Sequence, residues 1–179
     1  RSPFRPPAAN PIRVATNTPS MTVTFADLFD RAAEYDADAE AVSAALADRR
    51  SNSRGGSGET AEGDADLPPV DRDPSPARVA VDADALAADL LVGGAAREAL
   101  DALRSHAWTT LVASDALLDD AEAVIASLAD DGLAADWRDA VERWREPTPQ
   151  PAGDHPALAS AYRGEAAHLL SDDERLRSA

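Results

Sequence analysis

The sequence contains no cysteine and no lysine. Without thiols there is no disulfide, no thiolate catalysis and no zinc–thiolate site. All 17 basic side chains are therefore arginine, set against 33 acidic ones for a net charge of −16. No basic patch is visible along the chain, which argues against broad electrostatic binding to a nucleic-acid backbone. Aromatic residues are only 4% of the total. No apolar run approaches the roughly 20 residues that a membrane-spanning helix needs, so no membrane partner is expected.

What the chain does have is alanine, aspartate and arginine. Hydrophobic residues make up 44%, and their alanine-rich character favours helices and thin, close packing. The acidic, lysine-free composition resembles that of halophilic archaeal proteins. In high salt such acidity acts as a solubility device, and steering is screened over a few Å, so the charge identifies no partner. Residues 1–20 carry several prolines and no apolar signal core; they read as a disordered or upstream extension before Met21. A cytoplasmic location is expected.

Residues 21–50 read as a small helical hairpin. Thr24 is a candidate N-cap, and Phe25, Leu28, Phe29 and Ala32 recur at helical spacing. Val42, Ala45 and Leu46 make a second, shorter stripe. Two such helices bury little alone, so the hairpin is expected to dock, either on the main domain or on a partner, including a second copy of the chain. Residues 51–77, rich in Ser, Gly, Pro and acids, read as a disordered linker.

From Arg78 the pattern changes. Val79-Ala80-Val81 fits a buried parallel strand, and helices follow over 84–92 and 95–105. Trp108 to Ala113 reads as a second strand, and Ser114 or Asp115 caps a helix to about Asp130. A further helix spans 133–145 with Trp137, Val141 and Trp144, followed by a Pro-rich loop. Asp154 is expected to cap a helix over 155–163, before a third strand at Ala166–Leu170. Strands alternating with helices predict an α/β domain over 78–179, a mainly parallel sheet flanked by helices.

In such a sheet, residues just after strands and at the starts of helices leading into strands share the carboxyl edge, where α/β proteins place their sites. Asp82 and Asp84 follow the first strand, Asp115, Asp119 and Asp120 follow the second, Asp154 precedes the third, and Asp172 and Asp173 follow it. Clustered carboxylates repel one another unless a cation neutralises them, and all-oxygen ligation suits Mg²⁺ or Mn²⁺. With Leu117 as origin, the apolar stripe of its helix centres near about 40°. Asp119 then faces solvent, while Asp120 flanks the stripe near the helix start.

Three stretches carry a family resemblance. Val81-Asp82-Ala83-Asp84-Ala85-Leu86, Ser114 through Asp120, and Asp154 through Asp173 with its closing Ser171-Asp172-Asp173 are similar to the motifs of PIN-type nuclease domains. The resemblance covers 78–179. It implies that Asp82, Asp120, Asp154 and Asp173 are the metal-binding and catalytic acids, with Asp84 as a further metal ligand or support. It also implies Mg²⁺ or Mn²⁺ as cofactor, single-stranded RNA as substrate, phosphodiester hydrolysis as the reaction, and a closing strand beyond residue 179. Asp120 stands where glutamate is usual, and Ala83 replaces a common hydroxyl residue. A catalytically silent PIN-like regulatory or interaction module is the alternative. Asp82-Ala83-Asp84 also mimics a haloacid-dehalogenase nucleophile motif, but that chemistry needs a lysine this chain lacks. From the sequence alone, Asp82→Asn or Asp154→Asn should cost little stability, or add some by relieving like-charge repulsion.

Overall fold

The computed structural model describes residues 23–56, 67–173 and Leu176. Residues 1–20, and residues 57–66 of the expected linker, lie outside the described residues. Seven helices and four strands are described: α1 Phe25–Ala32, α2 Ala39–Gly56, β1 Ser75–Val81, α3 Ala83–Leu91, α4 Gly94–Ser105, β2 Thr110–Ala113, α5 Asp115–Leu128, α6 Asp131–Glu142, β3 Arg145–Pro147, α7 Pro156–Arg163 and β4 Ala166–Leu170. The fold is α/β. Its four strands are all parallel, in the order β3-β2-β1-β4.

The strand order locates the crevice. From β1 the chain steps outward to β2 and β3, then returns to the other side of β1 for β4. The direction of winding therefore reverses between β1 and β4, and open α/β sheets bind ligands at the carboxyl end of such a switch point.

The central layer follows from small apolar residues. Every residue of α3 is buried, which an Ala/Leu helix permits because alanine lets neighbours approach closely. α5 begins at its Ser114 N-cap and buries Leu117, Leu118, Ala121, Val124 and Ile125. α1 starts with a reciprocal capping box between Thr24 and Asp27, which satisfies two backbone donors at the helix start.

The hairpin docks on the main domain. α1 packs on α6 and α3, and α2 packs on α5 and α3. Leu28, Ala32, Val42 and Leu46 belong to one core with Val81, Leu86 and Leu117. Two arginines help hold α1 in place. Arg97 stacks over the Phe29 ring at 3.8 Å and donates to the carbonyls of Asp89 and Leu90. Arg104 lies over the rings of Phe25, Phe29 and Trp144.

Several boundaries differ from the sequence reading. α2 runs past Arg50 to Gly56, and β1 begins at Ser75, both inside the stretch assigned to the linker. The second strand starts at Thr110, leaving Trp108 65% exposed in the preceding turn. Arg145–Pro147 is a short edge strand where the sequence suggests helix end and loop. Its three residues carry too little pattern to be read alone, and among the described residues it pairs only with β2. The last helix starts at Pro156, with His155 rather than Asp154 as N-cap, because proline suits the first helical position, where its missing N–H is not needed.

One glycine sets a close approach. A Cβ on Gly164 would lie 2.5 Å from Val112 Cγ2 and 2.6 Å from the Ser160 carbonyl oxygen. Gly164→Ala should therefore push the end of α7 off β2 and destabilise the fold by about 1–3 kcal/mol, read as a lower urea midpoint.

Candidate functional site

Asp82 is fully buried directly after β1. It is the N-cap of α3, and its Oδ1 accepts from the Ala83 N–H at 2.8 Å. The same Oδ1 accepts from Arg50 Nη2 at 2.7 Å, and Oδ2 accepts from the Ser171 hydroxyl at 3.2 Å. Ser171 follows β4, and its Oγ also accepts from the Asp173 N–H. The ends of β1 and β4 are thus tied together around one carboxylate.

Asp84 lies one residue into α3 beside it and is also buried. Its Oδ1 accepts from the Ala85 N–H and its Oδ2 from the Asp172 N–H. Burial and the neighbouring Asp82 push its carboxyl up to about 6.

Asp120 is buried near the start of α5, whereas Asp119 is exposed and pairs with Arg138 at 2.7 Å. Helical angle separates the two, since adjacent residues differ by about 100°. Asp120 Oδ1 accepts from Arg49 Nε at 3.3 Å, and its Oδ2 lies 3.6 Å from Arg50 Nε. Asp115 is exposed and pairs with Arg145 and Arg138.

Asp154 is exposed in the loop before α7. A polar relay positions that loop. The Ser114 N–H donates to Ser160 Oγ, the Ser114 hydroxyl donates to Gln150 Oε1, and Gln150 Nε2 donates to the Asp154 carbonyl.

Two adjoining cavities open over this edge. One of about 580 Å³ is lined by Asp84, Asp172 and Asp173. The other, about 300 Å³, is lined by Asp120 and Asp154. Arg50 and His155 line both and form the partition between them. Burial, then the Arg50 charge, push the His155 imidazole below its ordinary value against the pull of Asp82, Asp173 and Asp120. Its Nδ1 is buried without a hydrogen-bond partner among the described residues.

The sequence-predicted acids thus come to one edge but not to one point. Asp82 and Asp120 meet through Arg50, Asp84 and Asp173 share the larger cavity, and Asp154 stands at the rim of the smaller. Among the described residues, no three acidic or histidine side chains are gathered as a ready ligand set for a metal ion. The donor chemistry nevertheless fits a hard divalent cation. All the candidate ligands are carboxylate oxygens, and one cation already spans two of them.

Sequence reasoning missed Arg50, Arg49 and His155. The available signal was Arg49-Arg50, the sequence's only adjacent arginine pair. Arg50 also continues the Val42, Leu46 stripe at i+4 spacing, which places it on the buried side of α2.

A family model described as a family of unknown function, DUF7384, matches residues 73–179. The chain belongs to that family. The matched span of DUF7384 includes Asp82, Asp84, Asp120, Asp154 and Asp173, whereas Arg50 lies before it. Nothing matches among curated proteins or solved structures. No helix among the described residues is long and apolar enough to cross a membrane.

Asp84 gives a pH dependence for the metal-free protein. Its folded value of about 6 exceeds the ordinary 3.8. Between those pH values the native state holds a proton that the unfolded chain releases. This contribution to stability is therefore complete below about pH 4 and is lost as pH rises through about 6. Because the amide does not ionise, the stability of Asp84→Asn relative to the parent should improve by about 1 kcal/mol or more from pH 4.5 to pH 7. Urea titrations of both proteins with chelator, at the two pH values, measure that difference.

Proposed function

We propose that this protein is a metal-dependent phosphodiesterase of PIN-like character, cutting single-stranded RNA with Mg²⁺ or Mn²⁺. The observation that carries the reading is a single cation, the Arg50 guanidinium, spanning the Asp82 and Asp120 carboxylates at the switch-point crevice. Carboxylates that converge on one positive charge can instead share a divalent ion, whose preferred ligands are such oxygens.

Asp82, Asp120 and Asp173 would hold the ion, with Asp84 beside them and Asp154 at the rim. Ser171 orients Asp82 by donating to its Oδ2. The Asp172 N–H fixes Asp84, and the serine–glutamine relay holds the Asp154 loop. When bound, the ion supplies water activation and offsets charge building on a phosphodiester. The choice of RNA rests on the resemblance of the three acidic motifs to PIN nucleases.

Full-length protein in high salt with Mn²⁺ should cleave a single-stranded RNA oligonucleotide, and chelation should stop it. Asp119→Asn, on the exposed face of α5, should leave the rate unchanged. The second reading, a silent module in which Arg50 replaces a metal permanently, is favoured by the absence of a gathered ligand set among the described residues. Absent cleavage together with absent Mn²⁺ binding would decide for it.

A further inference from the structure

Resting on that divalent-cation reading, we propose that Arg50 is a built-in plug: its guanidinium competes with the metal for Asp82 and Asp120, and the last turns of α2 swing out when the metal binds. The side chain of Arg50 is only 16% exposed, and its Nη2 lies 2.7 Å from a carboxylate with no exposure at all. Its Nε is buried, makes no hydrogen bond, and lies 3.6 Å from Asp120 Oδ2. It therefore fills the gap between the two acids while leaving its Nε donor unsatisfied. A guanidinium also brings only one positive charge to the two carboxylates it contacts, Asp82 and Asp120. A divalent ion would balance their charge better.

The helix is built for such a movement. Val42 and Leu46 anchor its first half in the core. Beyond Arg50, Ser51 to Ser53 are exposed. The Arg50 and Arg49 ion pairs are charge contacts that a competing cation weakens directly. Because Arg50 lines both cavities, its withdrawal would join the space beside Asp84 and Asp173 to that beside Asp120 and Asp154. The chain would then regulate its own site, keeping it closed until the metal, or the metal with its substrate, displaces α2.

Calorimetric Mn²⁺ titration of the full chain tests this, with hydrogen exchange as a second readout. Arg50→Gln should bind Mn²⁺ about tenfold or more tightly than the parent, since the competing state is removed. Arg50→Lys, which keeps the charge, should stay near the parent. Arg72→Gln, whose arginine is 78% exposed and pairs with Glu165 ahead of β4, should leave the affinity unchanged. In the parent protein, saturating Mn²⁺ should speed exchange of amides from Arg49 to Ser53 while Val42 to Leu46 stay protected. Equal affinities for the parent and Arg50→Gln would overturn the plug and leave the metal reading standing. Absent Mn²⁺ binding in every variant would overturn both. If Arg50→Gln does not fold, exchange in the parent decides: bound Mn²⁺ without faster exchange at the end of α2 contradicts the plug.

Discussion

Arg104→Ala is expected to lower the unfolding free energy by about 3–5 kcal/mol, because it strands a buried carboxylate. Asp89 is 1% exposed within α3 and is gripped at both oxygens by Arg104, each contact 2.8 Å. Burial still pushes the Asp89 carboxyl up despite that partner, so the aspartate depends on the arginine for its charge. Arg104 also covers the rings of Phe25, Phe29 and Trp144, so its truncation uncovers the seat of α1. A fall in melting temperature of roughly 10 °C should follow. The loss should shrink on acidification, since protonation removes the stranded charge. The double variant Asp89→Leu with Arg104→Met should recover most of the stability, because an apolar pair of similar size avoids the desolvation that two ions incur. Thermal melts of the parent and the two variants measure this.

Asp82→Asn should reduce metal-dependent cleavage by at least about 100-fold, the scale expected when a charge-stabilising site loses its central anion. Its effect on stability departs from the sequence expectation of little loss or a gain. That expectation supposed uncompensated repulsion, but Asp82 receives three donors, from Arg50, Ala83 and Ser171. The amide loses the charge-assisted contact with Arg50, so a destabilisation of about 1–2 kcal/mol is expected in the metal-free protein. Asp154→Asn, on an exposed loop, should leave stability unchanged. Comparing single-turnover cleavage and chemical unfolding for the two variants separates the catalytic from the structural role of each acid.

Periodicity made much of this legible. The Leu117, Leu118, Ala121, Val124 and Ile125 stripe orients α5, and with it the contrast between buried Asp120 and exposed Asp119. Val79-Ala80-Val81 reads as a strand because a parallel strand covered on both faces is continuously apolar, and Asp82 follows from its end. Other features left no local trace. β3 is three residues whose strand character exists only through pairing with β2. The helical start at Pro156 overrode the aspartate cap that the sequence suggested. Arg50 was hidden for a different reason. An arginine after two buried aliphatic residues resembles the solvated end of a helix, and its partner Asp82 is 32 positions away. Only folding brings α2 across the edge of the sheet.

The central claim is that the carboxylates around Asp82 hold a divalent cation. The most direct measurement is Mn²⁺ binding to Arg50→Gln compared with Arg50→Gln/Asp82→Asn, both confirmed folded, by calorimetry in high salt. Saturable binding in the first that is lost or weakened at least about tenfold in the second is the predicted result. Binding of equal strength in both, or none in either, would contradict the account.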